Sequence, residues 1–379
     1  MQSTPVNRDA PTVAEPPAHF LADLYSFKWS AFSFRLPLVS ASAVALCLFV
    51  GILAGHPGGG LIAGGGAFTI GFGANQRIAD SRLIPMLVAV FGCSTATLAG
   101  TIAGHKDIWL VVAASISAFI YGVLTTRNAG LSWVGQQASV ALLVASAFPT
   151  GLEAALVRAG LIAAGGIVQV LVTSAGLRMI PDLPKDLLSI AVSVVNNVQV
   201  QDQEELMRRI RELRRSLHPV TARDTLVYSL RLVVTVAIAT EVYRRIGVQS
   251  GYWIPMTAVL VQRPAFSETF TRALARTLGT LAGAWLGSLL IAYLSPGPIV
   301  LAVIATIFAL LAFATNSVNY GLFAACLTGY IVFLLSLNQI PGPVIAHRRA
   351  WCTILGGVIA LVVHLDALRR LRTSSAPVG

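Results

Sequence analysis

The chain has 379 residues, 55% of them hydrophobic and only 11% charged, and its mean hydropathy is +0.75. Soluble domains carry about 25% charged residues, so this composition excludes an ordinary soluble globular protein and indicates a polytopic membrane protein. The formal charge of +11 fits cytoplasmic loops facing anionic lipid, and no interleaved basic and aromatic segment marks a nucleic-acid site.

Taken from the start, residues 1–33 form an N-terminal cytoplasmic or interfacial segment with prolines at Pro5, Pro11, Pro16 and Pro17 and no charged region leading into a cleavable apolar core. No signal peptide is expected. The aromatics Phe20, Tyr25, Phe27, Trp29, Phe32 and Phe34 suit a lead-in lying at the membrane surface. Apolar runs then predict spans over about 36–54, 60–75, 83–104, 108–125, 133–150 and 156–177 in a first unit, 34–177. A second unit, 226–368, has spans over about 226–246, 252–262, 268–293, 298–314, 320–338 and 348–366, with a cytoplasmic tail at 369–379. The second span of each unit is short, and a surface helix at either place would change the topology. Between the units, 178–225 is a basic, helix-prone linker in which Met207 to Ser216 carries five arginines and one glutamate. It reads as a solvated topology anchor touching anionic headgroups.

Charge orients the chain. With the N-terminus inside, 21 of the 27 Lys and Arg fall on the cytoplasmic side, and only Lys106, Arg158, Arg244, Arg245, Arg348 and Arg349 fall outside. The positive-inside rule therefore favours twelve spans with both termini cytoplasmic. The units also repeat: Arg35 matches Arg231, Gln76-Arg77 matches Gln262-Arg263, and Gly92, Ala96 and Gly100 match Gly279, Gly283 and Gly287. Arg158 with Gly165-Gly166 matches Arg349 with Gly356-Gly357. Six spans per repeat make both enter from one side, so the expectation is an all-α protein of two parallel six-helix repeats joined by a short cytoplasmic linker, with a pathway between the halves. Where the repeat fails, Arg276 aligns with Ala89, and the six glycines of Gly58–Gly66 read first as packing and second as a cavity lining.

The most informative stretch runs from Tyr252 to Gly287, where an apolar run ends in Arg263-Pro264 and restarts. Arg272, Arg276, Gly279, Gly283 and Gly287 share one helical face, combining close packing with positive charge. That face cannot point at lipid. The third and ninth spans are expected to cross through their glycine stripes near the pseudo-twofold axis. This stretch resembles the signature of fusaric-acid-resistance-like proteins, which include aromatic acid exporters, and Asn319-Tyr320-Gly321-Leu322 with Thr328 resembles a second segment of the same proteins. Plant aluminium-activated malate channels resemble it more distantly. The resemblance implies an inner-membrane efflux transporter for small organic anions such as aromatic carboxylic acids, driven by the proton gradient.

Within that reading, Arg77, Arg263 and Arg276, with Gln76 and Gln262 beside the first two, are assigned to a cytoplasm-facing vestibule that selects carboxylates, with Asn319 and Tyr320 making contacts deeper in. Glu241 reads first as an ion pair with Arg244 and Arg245 and second as a proton-coupling carboxylate. The four cysteines, Cys47, Cys93, Cys326 and Cys352, sit singly in apolar runs, and the histidines lie away from other ligands, so no metal or cofactor is expected. No hydrolase, metalloprotease or nucleotide-binding motif occurs, which argues against an enzyme. A passive anion channel and a non-transporting scaffold remain as alternatives. The expected partners are a small organic anion and the bilayer, with a periplasmic adaptor or a second copy of the chain left open.

Overall fold

A computed structural model describes residues 22–29, 32, 34–78, 81–104, 107–177, 223–248, 250–294, 296–337 and 342–374. The linker reading for 178–222, Asp80 and the end of the tail fall outside these residues. After a single helical turn at Ala22–Tyr25, the described chain is helical: α1 (Arg35–Leu53), α2 (Pro57–Gly71), α3 (Leu83–Ala103), α4 (Ile108–Thr125), α5 (Ala129–Ala145) and α6 (Leu152–Leu177). Then come α7 (Arg223–Ile246), α8 (Trp253–Val261), α9 (Phe266–Leu294), α10 (Pro298–Thr315), α11 (Tyr320–Ser336) and α12 (Gly342–Ser374). Among the described residues there is no strand, only an isolated bridge between Ile78 and Ser81.

Local chemistry sets the helix ends. Pro57 and Pro298 occupy first-turn positions, where the missing N–H costs nothing. Asp107, Asn128 and Asn319 cap α4, α5 and α11 by accepting from backbone N–H groups that have no partner within the helix. Eight helices (α1, α3, α4, α6, α7, α9, α10 and α12) are long and apolar enough to cross a membrane, and α5 and α11 are shorter apolar helices. The two shortest, α2 and α8, do not lie on the surface. Of the nine residues of α8 all but Leu260 are buried, and α2 buries Gly60, Gly64, Gly66 and the run Ala67, Phe68, Ile70 and Gly71. A short helix is tolerated at membrane depth when protein surrounds it.

Within the first half α1 packs on α2, α2 on α6, α3 on α5 and α6, and α4 on α5; in the second half α7, α8, α9, α10, α11 and α12 pair in the same order. Between halves, α1 packs on α10 and α4 on α7, a reciprocal exchange of first and fourth helices. Beside the first of these seams, rings from α2 and the turn after it meet rings from α10 and α11: Phe68 stacks on Tyr330 at 4.2 Å, and Phe313 lies 5.1 Å from Phe68 and 4.6 Å from Phe72. The second holds Tyr121, Tyr228, Leu232 and Val236, with Gly122 against the backbone of Ser229.

The glycine stripes do not meet each other. A Cβ on Gly279 or Gly283 would collide with the carbonyl oxygens of Gly321 and Ala325 on α11, Gly287 faces Val332 of α11, and a Cβ on Gly100 would collide with the Leu142 carbonyl on α5. The expected crossing of the third and ninth spans is therefore replaced by two equivalent crossings inside the halves. Removing the side chain lets any partner approach, and the partner is selected by the short connections that bring α5 back to α3 and α11 back to α9. Gly92 has more room, its nearest neighbour being Ala138 Cβ at 3.7 Å. Gly66 of α2 and Gly165 of α6 likewise abut the carbonyls of Ile162 and Ala63 across their shared contact, and Gly356 of α12 abuts that of Ile254 on α8, so these glycines serve helix packing.

Candidate functional site

The polar site grows from two adjoining helix starts. At the end of α8, Gln262 turns to extended geometry, and the Thr269 hydroxyl accepts from Arg263 N at 2.9 Å, fixing the loop that opens α9. At the start of α11, Asn319 Oδ1 accepts from Gly321 N and Leu322 N at 2.9 and 3.1 Å. Its Nδ2 donates to the carbonyls of Leu24 and Ser26, which ties the N-terminal segment across the site. Those two ends leave a cavity of about 310 Å³ lined by Ser26, Lys28, Arg263, Glu268, Thr271, Arg272, Ala275 and Asn316 to Tyr320.

Tyr320 is the floor of this cavity. The Arg272 guanidinium lies over its ring at 3.8 Å from the centroid, while Arg272 Nε donates to the Leu260 carbonyl at 3.0 Å. Behind it, Arg276 Nη1 donates to the Tyr320 hydroxyl at 3.2 Å. Arg263 Nη1 reaches the Tyr121 hydroxyl at 3.4 Å, and that hydroxyl also accepts from Gln136 Nε2 at 3.0 Å. None of Arg263, Arg272 and Arg276 pairs with a carboxylate among the described residues. Arg276 is 1% exposed and its Nε has no partner. Holding such a group away from water costs at least about 2.5 kcal/mol on insertion scales, so the hydrogen bond to Tyr320 matters to Arg276.

Of the residues singled out in the sequence, Arg263, Asn319 and Tyr320 line the cavity, and Arg276 lies behind Tyr320 rather than in front of it. Arg276 and Tyr320 thus stand in the opposite order to that expected, because the ring of Tyr320 at the first turn of α11 covers the face of α9 that bears Arg276. Gln262 is fully buried, with neither side-chain amide atom partnered and its carbonyl accepting from the Tyr228 hydroxyl. Arg77 is exposed and Gln76 half-buried, and neither lines the cavity. The 3-10 turn Phe72–Asn75 and the Ile78–Ser81 bridge carry this loop elsewhere, so the vestibule has no first-repeat arginine. Glu241 spends both oxygens on Arg244 and Arg245.

Two contributors escaped the sequence reading. Arg272 was visible on the stripe but not counted in the site. Arg349, placed outside by the charge tally, is 1% exposed in the bundle, with Nε donating to Thr328 Oγ1 at 3.1 Å and its guanidinium 3.9 Å from the centre of the Trp253 ring. The signal available was that Arg349 shares the helical rhythm of Thr353, Gly356 and Gly357 on the protein-facing side of α12.

Comparison with known proteins adds the following. Residues 235–363 match a family model described as fusaric acid resistance protein-like. The uncharacterized protein slr1298 of Synechocystis sp. is 26% identical over 144 residues, which is 38% of this chain and 19% of that relative. This chain therefore aligns with about a fifth of the relative's length. No solved structure matches. Arg263, Arg272, Arg276, Tyr320 and Arg349 all lie inside the matched region.

Proposed function

We propose that this chain is a bacterial inner-membrane exporter of small organic anions, with aromatic carboxylic acids as the substrate class and the proton gradient as the driving force. The observation that carries the reading is the cluster of Arg263, Arg272 and Arg276 around Tyr320, which meets a polar cavity also lined by Lys28 and Glu268 and, among the described residues, forms no ion pair with a carboxylate. Guanidinium groups offer a planar fork to a carboxylate, and the half-buried ring of Tyr320 offers a contact to the rest of such a molecule, while Asn319 holds the cavity wall in place. The family's name adds that relatives confer resistance to fusaric acid, itself an aromatic carboxylic acid. Twelve spans in two parallel repeats with both termini in the cytoplasm complete the proposal. The reciprocal pairing of α1 with α10 and α4 with α7 supports it.

The test is export of benzoate at matched membrane abundance. Arg276→Gln is expected to reduce export at least tenfold, and Arg276→Lys to retain part of it. Full activity in both variants overturns the reading. Uphill export that a protonophore abolishes supports a transporter, whereas strictly downhill flux returns the passive channel.

A further inference from the structure

We propose that Arg349, with Thr328 and Trp253, forms an inner anion site at mid-depth, so that a carboxylate passing Tyr320 travels inside the second half among α8, α9, α11 and α12. This rests on the organic-anion reading and gives it a route and a second recognition residue.

Four observations converge on it. Arg349 is buried on every side, its Nε is held by Thr328, its face is held by Trp253, and Nη1 has no partner. A side chain so tightly oriented with one donor left over is arranged to receive something. Next, Thr328 is the central residue of α11, eight residues and about 12 Å beyond Tyr320, so Arg349 stands in line behind the vestibule. Between the two levels, Arg276 Nε and the hydroxyls of Thr280 and Thr257 are also buried without partners among the described residues. Two buried guanidinium groups with no ion-paired carboxylate among the described residues gain from an anion bound near them.

The alternative route, along the boundary between halves, is closed on one side by the rings of Phe68, Phe72, Phe313 and Tyr330. The first half also lacks the equipment. Its counterpart of Arg349 is Arg158, which turns outward to donate to the Phe148 carbonyl at 3.2 Å and to cover the Phe148 ring, and its counterpart of Arg276 is the fully buried Ala89. Only one half of the repeat has acquired a cationic interior.

The experiment uses the purified full chain in liposomes with benzoate as the probe. Arg349→Gln is expected to lower benzoate flux at least tenfold, Arg349→Lys to restore part of it, and Arg158→Gln to stay within twofold of the parent. Arg349→Gln within twofold of the parent, while Arg276→Gln abolishes flux, overturns the inner site and leaves the vestibule reading standing. Because loss of flux also follows from misfolding, a second measurement places Thr280→Cys in a chain whose four native cysteines are replaced by alanine. The anionic sulfonatoethyl methanethiosulfonate is expected to modify it at least tenfold faster than the cationic trimethylammonium analogue, with benzoate slowing the reaction. Equal rates for the two reagents, or no reaction with either, overturns the inner site whatever the flux shows.

Discussion

Tyr320 is held by a cation on its face and another on its hydroxyl, and this double use makes it separable by substitution. Tyr320→Phe keeps the ring under Arg272 but leaves Arg276 without its one hydrogen-bond partner, which for a buried group costs about 1–3 kcal/mol. A lowered melting temperature with several-fold weaker export is expected, and an unchanged melting temperature would mean that Arg276 finds another acceptor. Asn319 and Asn128 are a second matched pair, since both cap a helix through Oδ1, yet only Asn319 also holds the Leu24 and Ser26 carbonyls. Each alanine variant should lose about 0.5–2 kcal/mol of stability from the cap. Only Asn319→Ala should in addition expose residues 22–29 to limited proteolysis, and equal cleavage in the two variants would refute this division of roles. Glu241 is committed to Arg244 and Arg245 on its own helix, so Glu241→Gln is expected to leave the pH dependence of export unchanged. A shifted pH profile would restore the proton-coupling role.

Among the elements, the decisive contrast is between glycines that touch backbone and one that does not. Gly100 and Gly283 abut carbonyl oxygens of α5 and α11, so an added methyl must push two helices apart, whereas a methyl on Gly92 would meet only side chains at ordinary contact distance. Gly100→Ala and Gly283→Ala are each expected to cost about 1–3 kcal/mol, the usual range for overpacking, and Gly92→Ala to be tolerated. Thermal unfolding in detergent reads this directly, and three equal melting temperatures would show that the helices yield without strain. The short helices follow the same logic. α8 is nine residues long, about 13 Å, and is stable at membrane depth because α7, α12 and α5 cover it.

For the whole molecule, the basic excess of 178–231 and the arginines of the vestibule lie on one side by the charge rule. Reporter fusions within residues 190–220 are therefore expected to be active only in the cytoplasm. Activity on the outer side would invert the chain and place the cavity at the opposite mouth.

Composition alone determined the membrane class, and apolar run lengths located the helices closely: the expected 83–104, 108–125, 226–246 and 298–314 fall on α3, α4, α7 and α10. These properties are legible because helix formation in an apolar solvent depends on local composition and on caps a few residues away. The stripe Arg272, Arg276, Gly279, Gly283 and Gly287 was likewise readable as one face, since 3.6-residue periodicity is local. Which helix that face meets was not. Glycine permits close approach by any neighbour, so only the packed bundle decided that α9 meets α11, that Tyr320 covers Arg276, that Arg77 turns to the surface, and that Arg349 points inward while its repeat partner Arg158 points out. Each of those outcomes is a contact between residues far apart in the chain, selected by shape and by the cost of leaving a buried donor unpaired.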